Sequence, residues 1–139
     1  MNQKDLKYHL TYLEMATVWS TLSCCKRKKV GALIVKDGTI ISDGFNGTPN
    51  GFANDCEDAN GNTNWYVLHA EANAMLKVAK STQNTEGSTL YVTYSPCKDC
   101  SKLIIQSGIK RVIYKEEYRD ISGVKILREA NIDVIHLGI

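Results

Sequence analysis

The 139-residue sequence predicts one α/β domain over residues 1–139, a three-layer α/β/α arrangement in which helices cover both faces of a mixed sheet of roughly five strands. Two observations support this prediction. In the first third of the chain, two apolar runs flank an Asp-Gly pair, which is the pattern of an antiparallel hairpin. In the second half, β-prone runs alternate with helical patterns, and this alternation is typical of parallel strands joined by helical crossovers.

The N-terminal elements are predicted from their apolar spacing. Residues 5–23 repeat apolar side chains at three- and four-residue steps on two sides. This pattern predicts a helix that is buried on two sides, with one side available to another subunit. The run VGALIV at 30–35 is apolar throughout, so it predicts a central strand, and TIISDGF at 39–45 completes the hairpin.

The middle and C-terminal elements follow from turn and helix signals. Residues 46–63 are rich in Gly, Asn and Asp, which predicts a long irregular loop of the kind that often carries function. HAEANAMLKVAK at 69–80 predicts a helix. In SPCKDCSKLIIQSG, we expect a helix with Ser95 as N-cap, Pro96 at the first helical position and Gly108 at the C-terminal end. The remaining predicted elements are strands at 89–93, 111–114 and 133–137 and a helix at 122–130.

Composition excludes several classes of partner. The net charge of +2 is too small to favour nucleic acid, and no apolar run approaches the roughly 20 residues of a membrane span. The N-terminus, MNQKDLKYHL, carries charge where a secretory signal would carry its apolar core, so we expect a cytoplasmic protein. Five cysteines without such a signal argue against a disulfide framework and for reduced thiols.

A cluster of metal-binding residue types is the strongest functional signal. In a reducing compartment a C-x-x-C pair such as Cys97 and Cys100 indicates a metal site or a redox-active pair. Both lie at a predicted helix start, where the helix dipole favours thiolates. His69 also lies at a helix start and is the best third ligand. Three ligands leave the open position of a catalytic zinc, and Glu71 is placed to move protons there.

Together these residues match the H-x-E…P-C-x-x-C signature of zinc-dependent nucleobase deaminases. Beyond this motif the chain resembles the deoxycytidylate (dCMP) deaminase family, of the short bacterial and phage type, within the cytidine deaminase superfamily. The resemblance covers nearly the whole chain, through SCCKRKKVGALIVKDG, GFNGTPNG, HAEANA and YVTYSPCKDCSKLIIQSGIKRVIY. Phe45 stands where the family usually has Tyr. The resemblance implies a cytidine deaminase-like fold.

The resemblance also implies the chemistry. His69, Cys97 and Cys100 would hold one Zn²⁺ per chain. Glu71 would take a proton from the zinc-bound water and deliver it to N3 of cytosine while C4 is attacked and ammonia leaves. The product of dCMP would be dUMP, which supplies thymidylate synthesis.

Further residues are assigned by the same matching. Asn46 would bind the sugar 3′-hydroxyl, Ala70 the base, and Arg27 the phosphate, with Ser23 and Tyr118 as weaker phosphate candidates. For the three lysines of KRKK, a solvated basic turn and a phosphate-binding role are equally good interpretations.

Regulation and assembly are also implied by the family. Its members are typically hexamers that dCTP activates and dTTP inhibits, and Mg²⁺ could accompany the triphosphate. The matching residues for the effector are Gly44, Phe45, Asn46, Gly47 and Lys80.

Some relatives hold a second, structural zinc through cysteines matching Cys25 and Cys56 together with histidines before the H-A-E motif. Residues 61–68 contain no histidine, so we expect one zinc per chain. Cys24, Cys25 and Cys56 are then expected to be plain thiols. Three other interpretations remain open: a tRNA adenosine deaminase, a free cytidine deaminase and a non-catalytic, zinc-stabilised interaction module.

Overall fold

The computed structural model describes residues 1–138, and its elements follow the predicted order. They are α1 (Gln3–Ser20), β1 (Gly31–Lys36), β2 (Thr39–Phe45), α2 (Ala70–Ala79), β3 (Thr89–Tyr94), α3 (Lys98–Gln106), β4 (Arg111–Glu116), α4 (Ser122–Glu129) and β5 (Asp133–His136). Within the described residues, no helix has the length and apolar character that a membrane span requires.

The sheet is mixed and has five strands in the order β2-β1-β3-β4-β5. Strand β1 is antiparallel to both β2 and β3, whereas β3, β4 and β5 are parallel. Asp37 and Gly38 connect β1 to β2 with φ angles of 51° and 74°. A two-residue hairpin turn of this kind needs positive φ at both positions, which Asp-Gly tolerates. The predicted hairpin and the predicted parallel crossovers are both confirmed.

Helices lie on both faces of the sheet, so the three-layer prediction is also confirmed. On one face, Leu13 and Ala16 of α1 pack against Leu33, Tyr91 and Ile113. On the other face, α2, α3 and α4 pack over β1, β3 and β4. Residues 31–35 of β1 are all buried, as expected for a central strand covered on both sides.

The structure corrects the predicted start of the third helix. The prediction of Ser95 as N-cap and Pro96 as the first helical residue is wrong. Cys97 is the N-cap, with extended backbone angles, and its sulfur accepts a hydrogen bond from the Cys100 N–H. The Ser95 hydroxyl oxygen instead accepts the backbone N–H of Tyr118 at 2.9 Å. Ser95 therefore joins two loops of the site.

Two glycines allow helices to approach the backbone around the site closely. A Cβ at Gly44 would lie 2.7 Å from the backbone nitrogen of Ala74, so the glycine lets α2 rest on β2. A Cβ at Gly123 would lie 2.8 Å from the carbonyl carbon of Cys97, so α4 rests directly on the loop that begins α3.

The expectation of free thiols at Cys25 and Cys56 is wrong, because these two residues form a disulfide with a Cα–Cα distance of 5.1 Å. Cys24 is free, as expected, and its sulfur lies 3.5 Å from that of Cys56. The pairing arises because the long loop after β2 folds back over the segment before β1. The disulfide fastens this loop to that segment.

Candidate active site

Two helix N-termini bring the predicted metal ligands together. His69 is the N-cap of α2 and Cys97 the N-cap of α3. The His69 Nδ1 atom lies 3.5 Å from the Cys97 sulfur and 3.4 Å from the Cys100 sulfur. In a tetrahedral zinc site with bonds of ~2.1 Å to nitrogen and ~2.3 Å to sulfur, such atoms lie about 3.6 Å apart. The three donors therefore fit zinc and leave a fourth position for another ligand.

The electrostatics of this cluster favour an anionic sulfur. A hydrogen bond from Cys100 is the main cause that lowers the pKa of Cys97 to about 4, and His69 contributes in the same direction. The pKa of Cys100 is raised because its thiol keeps the shared proton. The pKa of His69 is raised, chiefly by its hydrogen bond with Cys97. Metal binding releases such protons, and thiolate is the form of cysteine that binds zinc.

Glu71 lies in the first turn of α2 and is only 4% exposed. It lines the same cavity as His69 and Cys97. Burial raises the pKa of its carboxyl to about 7. A carboxyl group with this property can both accept and return a proton near neutral pH, as a general acid–base residue must.

The active-site cavity has a volume of about 100 Å³. Four of the five predicted substrate-binding residues line it, namely Asn46, Arg27, Ala70 and Tyr118. Ser23 does not: its buried hydroxyl donates to the Asn46 carbonyl at 2.8 Å and accepts the Cys25 N–H at 3.2 Å. Ser23 therefore supports the loop beneath the cavity.

Asn46 holds the basic segment in place. Its Oδ1 accepts the Val30 N–H at 2.9 Å, and its Nδ2 donates to the Lys28 carbonyl at 2.8 Å. The Oδ1 and Nδ2 atoms can each still make one more hydrogen bond. Asn46 can thus position the segment and contact a ligand with the same side chain.

The structure separates the four basic residues that the sequence leaves together. Arg27 and Lys28 line the active-site cavity, whereas Lys26 lines a neighbouring one. The Lys29 ammonium donates to the Ser23 carbonyl at 2.6 Å. The Glu57 carboxylate accepts the backbone N–H groups of Lys26 and Arg27 at 3.1–3.2 Å.

Sequence reasoning missed Glu57 and Tyr94, and it did not distinguish Lys28 from the other lysines of KRKK. Glu57 belongs to the irregular loop and to no motif, so no sequence signal marks it. Tyr94 ends β3 and stacks on Tyr118 with ring centroids 5.2 Å apart. Burial is the first cause that raises the pKa of Tyr118 to about 12, so this ring stays neutral.

A second cavity of about 500 Å³ lies beside α2. It is lined by Gly44, Phe45, Gly47 and Lys80 of the predicted effector residues, together with Lys77. Asn46, the fifth predicted effector residue, lines the active-site cavity instead.

A His/Cys/Cys group that fits zinc with one open position, a buried carboxyl group in the same cavity and a cytidine deaminase-like α/β/α fold are together the features of a zinc-dependent hydrolytic deaminase. Comparison with known proteins places the chain within this class. The family model described as the cytidine and deoxycytidylate deaminase zinc-binding region matches residues 6–116. The chain therefore belongs to the cytidine and deoxycytidylate deaminase family, and within it to the deoxycytidylate deaminases by its relatives.

These relatives include the deoxycytidylate deaminase of Enterobacteria phage T4, which is 37% identical over 91% of this chain and 88% of its own length. The deoxycytidylate deaminase of Saccharomyces cerevisiae is 35% identical over 88% of this chain and 42% of its own length. Among solved structures, the dCMP deaminase of cyanophage S-TIM5 in complex with dCMP and dUMP is 46% identical, covers 99% of both chains and has a TM-score of 0.92.

Proposed function

We propose that this protein hydrolyses dCMP to dUMP and ammonia and so supplies dUMP for thymidylate synthesis. The observation that carries the proposal is that Glu71 and the zinc ligands His69 and Cys97 line one cavity together with the basic side chain of Arg27. This arrangement offers a hydrolytic centre at one end and a positive charge for a phosphate nearby. The dCMP and dUMP complex of the cyanophage relative supports the same substrate.

The residues of the chain account for the proton transfers. Zinc held by His69, Cys97 and Cys100 would act as the Lewis acid that activates the attacking water. Glu71 takes a proton from that water and gives a proton to N3 of the cytosine. The new C–O bond forms at C4, the C4–N4 bond breaks, and the departing amine leaves as ammonia after it receives a proton through Glu71. Water and dCMP thus become dUMP and ammonia.

The test is ammonia release by zinc-loaded protein from dCMP, deoxycytidine, dCTP and a tRNA anticodon stem-loop. Turnover of dCMP well above the other substrates is the expected result. Preferential turnover of deoxycytidine or of the stem-loop would refute dCMP as the substrate but would still support hydrolytic deamination as the reaction. No turnover of any substrate would favour a non-catalytic, zinc-stabilised module.

We also propose that dCTP activates and dTTP inhibits the enzyme by binding in the second cavity. Its volume suits a nucleotide, and Lys80 supplies positive charge for phosphates, whereas the Lys77 ammonium is already paired with the Asp43 carboxylate. Mg²⁺ would accompany the triphosphate. Replacing Lys80 by Met should raise the effector concentration for half response about tenfold, as loss of one charged contact does. Lys110→Met, at an exposed position, is the matched control. If Lys80→Met leaves the effector concentration for half response unchanged, the effectors bind elsewhere.

A hexamer is the assembly we propose. The face of α1 opposite the sheet exposes Tyr8, Met15 and Val18 in the single chain, and Leu22 is exposed in the turn that follows the helix. Such a face is suited to contact with another subunit. Sedimentation at several protein concentrations tests this assembly, and a monomer at all concentrations would refute it.

We place the enzyme in the cytoplasm, that of the host if it is phage-encoded, and assign it no nucleic-acid or membrane partner.

A further inference from the structure

We propose that Lys28 is a specificity-determining residue that recognises the phosphate of the substrate, an inference that rests on the proposed deamination of dCMP. Its ammonium lies 4.1 Å from the ring centroid of Tyr118 and 4.4 Å from that of Tyr94. The side chain is half-buried and lines the cavity that contains Glu71. Cation–π contacts thus hold a positive charge at the wall of the active site.

Among residues 1–138 this charge has no carboxylate partner, since none of their ion pairs includes Lys28. The nearby Glu57 carboxylate is engaged by two backbone N–H groups of the same segment. An ammonium held only by neutral rings is strongly attracted to an anion that enters the cavity, because a lysine offers three donors and a compact charge.

The backbone fixes which lysine faces the cavity. Asn46 holds the Lys28 carbonyl at 2.8 Å, and Glu57 holds the N–H groups of Lys26 and Arg27. With the segment held at both points, the side chain of Lys26 lines the neighbouring cavity instead. Lys26 is therefore a matched control: it has the same charge, lies two residues away and does not line the active-site cavity.

The phosphate is the group that Lys28 would recognise because it is the only anionic group of dCMP. The cytosine ring and the deoxyribose are neutral, and deoxycytidine differs from dCMP only in lacking the phosphate. Arg27 lines the same cavity but is exposed, whereas the Lys28 ammonium is partly shielded from water. A charge–charge contact is stronger where water is partly excluded.

The alternative role for Lys28 is to hold Tyr94 and Tyr118 in position. The substitution Lys28→Met separates the two roles, because methionine keeps an apolar stem against the rings and removes only the charge. Lys28→Arg restores the charge. We would measure kcat/KM for dCMP and for deoxycytidine with wild type, both Lys28 variants and Lys26→Met, and confirm by thermal unfolding that all four are folded.

The expected result is a fall of about 10- to 100-fold in kcat/KM for dCMP with Lys28→Met, as for loss of a charged hydrogen bond. The value for deoxycytidine should stay within about twofold, Lys28→Arg should recover most of the loss, and Lys26→Met should behave as wild type. Where deoxycytidine turnover is too slow to measure, inhibition by dUMP and by deoxyuridine gives the same comparison.

Two results would overturn this role. Equal losses for dCMP and deoxycytidine would assign Lys28 to positioning the tyrosines, and an unchanged dCMP value would assign phosphate recognition elsewhere. Neither result would affect the proposed function. Absence of dCMP turnover by the wild-type enzyme would instead overturn the proposed function itself.

Discussion

Gly123 lies in the first turn of α4 and allows this helix to touch the loop that carries Cys97, one of the three residues that fit zinc. The substitution Gly123→Ala would place a methyl group 2.8 Å from both the Cys97 carbonyl carbon and the Ser101 hydroxyl, and closer still to the Pro96 carbonyl oxygen. Because non-bonded carbon atoms prefer separations of roughly 3.5–4.0 Å, the helix or the loop must move by about 1 Å. Most of the neighbouring atoms are backbone, so a change of side-chain rotamer does not relieve the contact.

The expected cost can be worked out from two opposing effects. Overpacking of a tight contact costs about 1–3 kcal/mol. Alanine recovers at most about 1 kcal/mol of helix propensity relative to glycine. The net loss in free energy of unfolding is then about 0–2 kcal/mol, and contacts this short place it toward the upper end. For a domain of this size, such a loss lowers the melting temperature by several degrees.

The same displacement moves Cys97 relative to His69 and Cys100, so zinc affinity should fall together with stability. Urea denaturation and competition with a chromogenic zinc chelator measure the two effects on the same preparation. Lys125→Ala, at an exposed position of the same helix, is the control for changes in helix propensity alone. A Gly123→Ala variant at least as stable as wild type, with the same zinc affinity, would refute the proposed close packing.

Three further predictions concern the site and the core. Glu71→Gln should keep one equivalent of zinc per chain and lose at least about 10²-fold in kcat, because a neutral amide cannot accept the proton; metal analysis and ammonia release test this, and retained activity would contradict it. Reduction of the Cys25–Cys56 disulfide should lower the melting temperature, since it releases a loop of about 30 residues, while Cys56→Ser should melt at the same temperature in either redox state. Burial lowers the pKa of His9, whose ring lies 2.7 Å from the Tyr91 hydroxyl, so the folded state prefers the neutral imidazole. Its contribution to stability is present above pH 6.5 and is lost as the pH falls through the folded pKa; urea titrations at several pH values should show this loss in wild type and a smaller one in His9→Gln.

The fold could be predicted largely because its signals are local. The Asp37-Gly38 turn, the apolar strand before it and the helix patterns each depend on a few neighbouring residues. The start of α3 could not be predicted in this way. Ser95 and Pro96 match the usual helix-start pattern, but the Ser95 hydroxyl is already engaged by the distant Tyr118 N–H, and the Cys97 sulfur serves as the cap.

The grouping of His69, Cys97 and Cys100 near Glu71 was predictable because each motif lies at the start of one helix, and helix starts at one edge of a sheet converge. The remainder of the cavity depends on long-range contacts. Glu57 reaches the basic segment from a loop about 30 residues away, and Tyr94 meets Lys28 only through the pairing of β1 with β3. No local pattern distinguishes Lys28 from the lysines beside it.

The expectation of free thiols at Cys25 and Cys56 rested on cysteine count and compartment, which say nothing about proximity. Their separation of 31 residues is bridged by β1, β2 and the long loop. One zinc per chain remains a prediction, because the sulfurs of Cys24, Cys25 and Cys56 lie within 4.8 Å of one another and could hold a metal ion if reduced. Zinc analysis with and without reductant decides between one and two equivalents.

The segment 44–47, which comprises the end of β2 and the two residues after it, borders both cavities and gives the proposed effector site a direct physical route to the substrate. Gly44, Phe45 and Gly47 line the second cavity, whereas Asn46 lines the active-site cavity. The Asn46 side chain also holds the Val30 N–H and the Lys28 carbonyl. A nucleotide that displaces this segment must move Asn46, and with it the residues around Lys28. The same segment also contacts α2, because Gly47 pairs with Leu68 next to His69 and Asn73 donates to the Phe45 carbonyl at 2.8 Å. Regulation by this route should therefore change KM for dCMP and kcat together, and an effector that changes only one of them would require a different route.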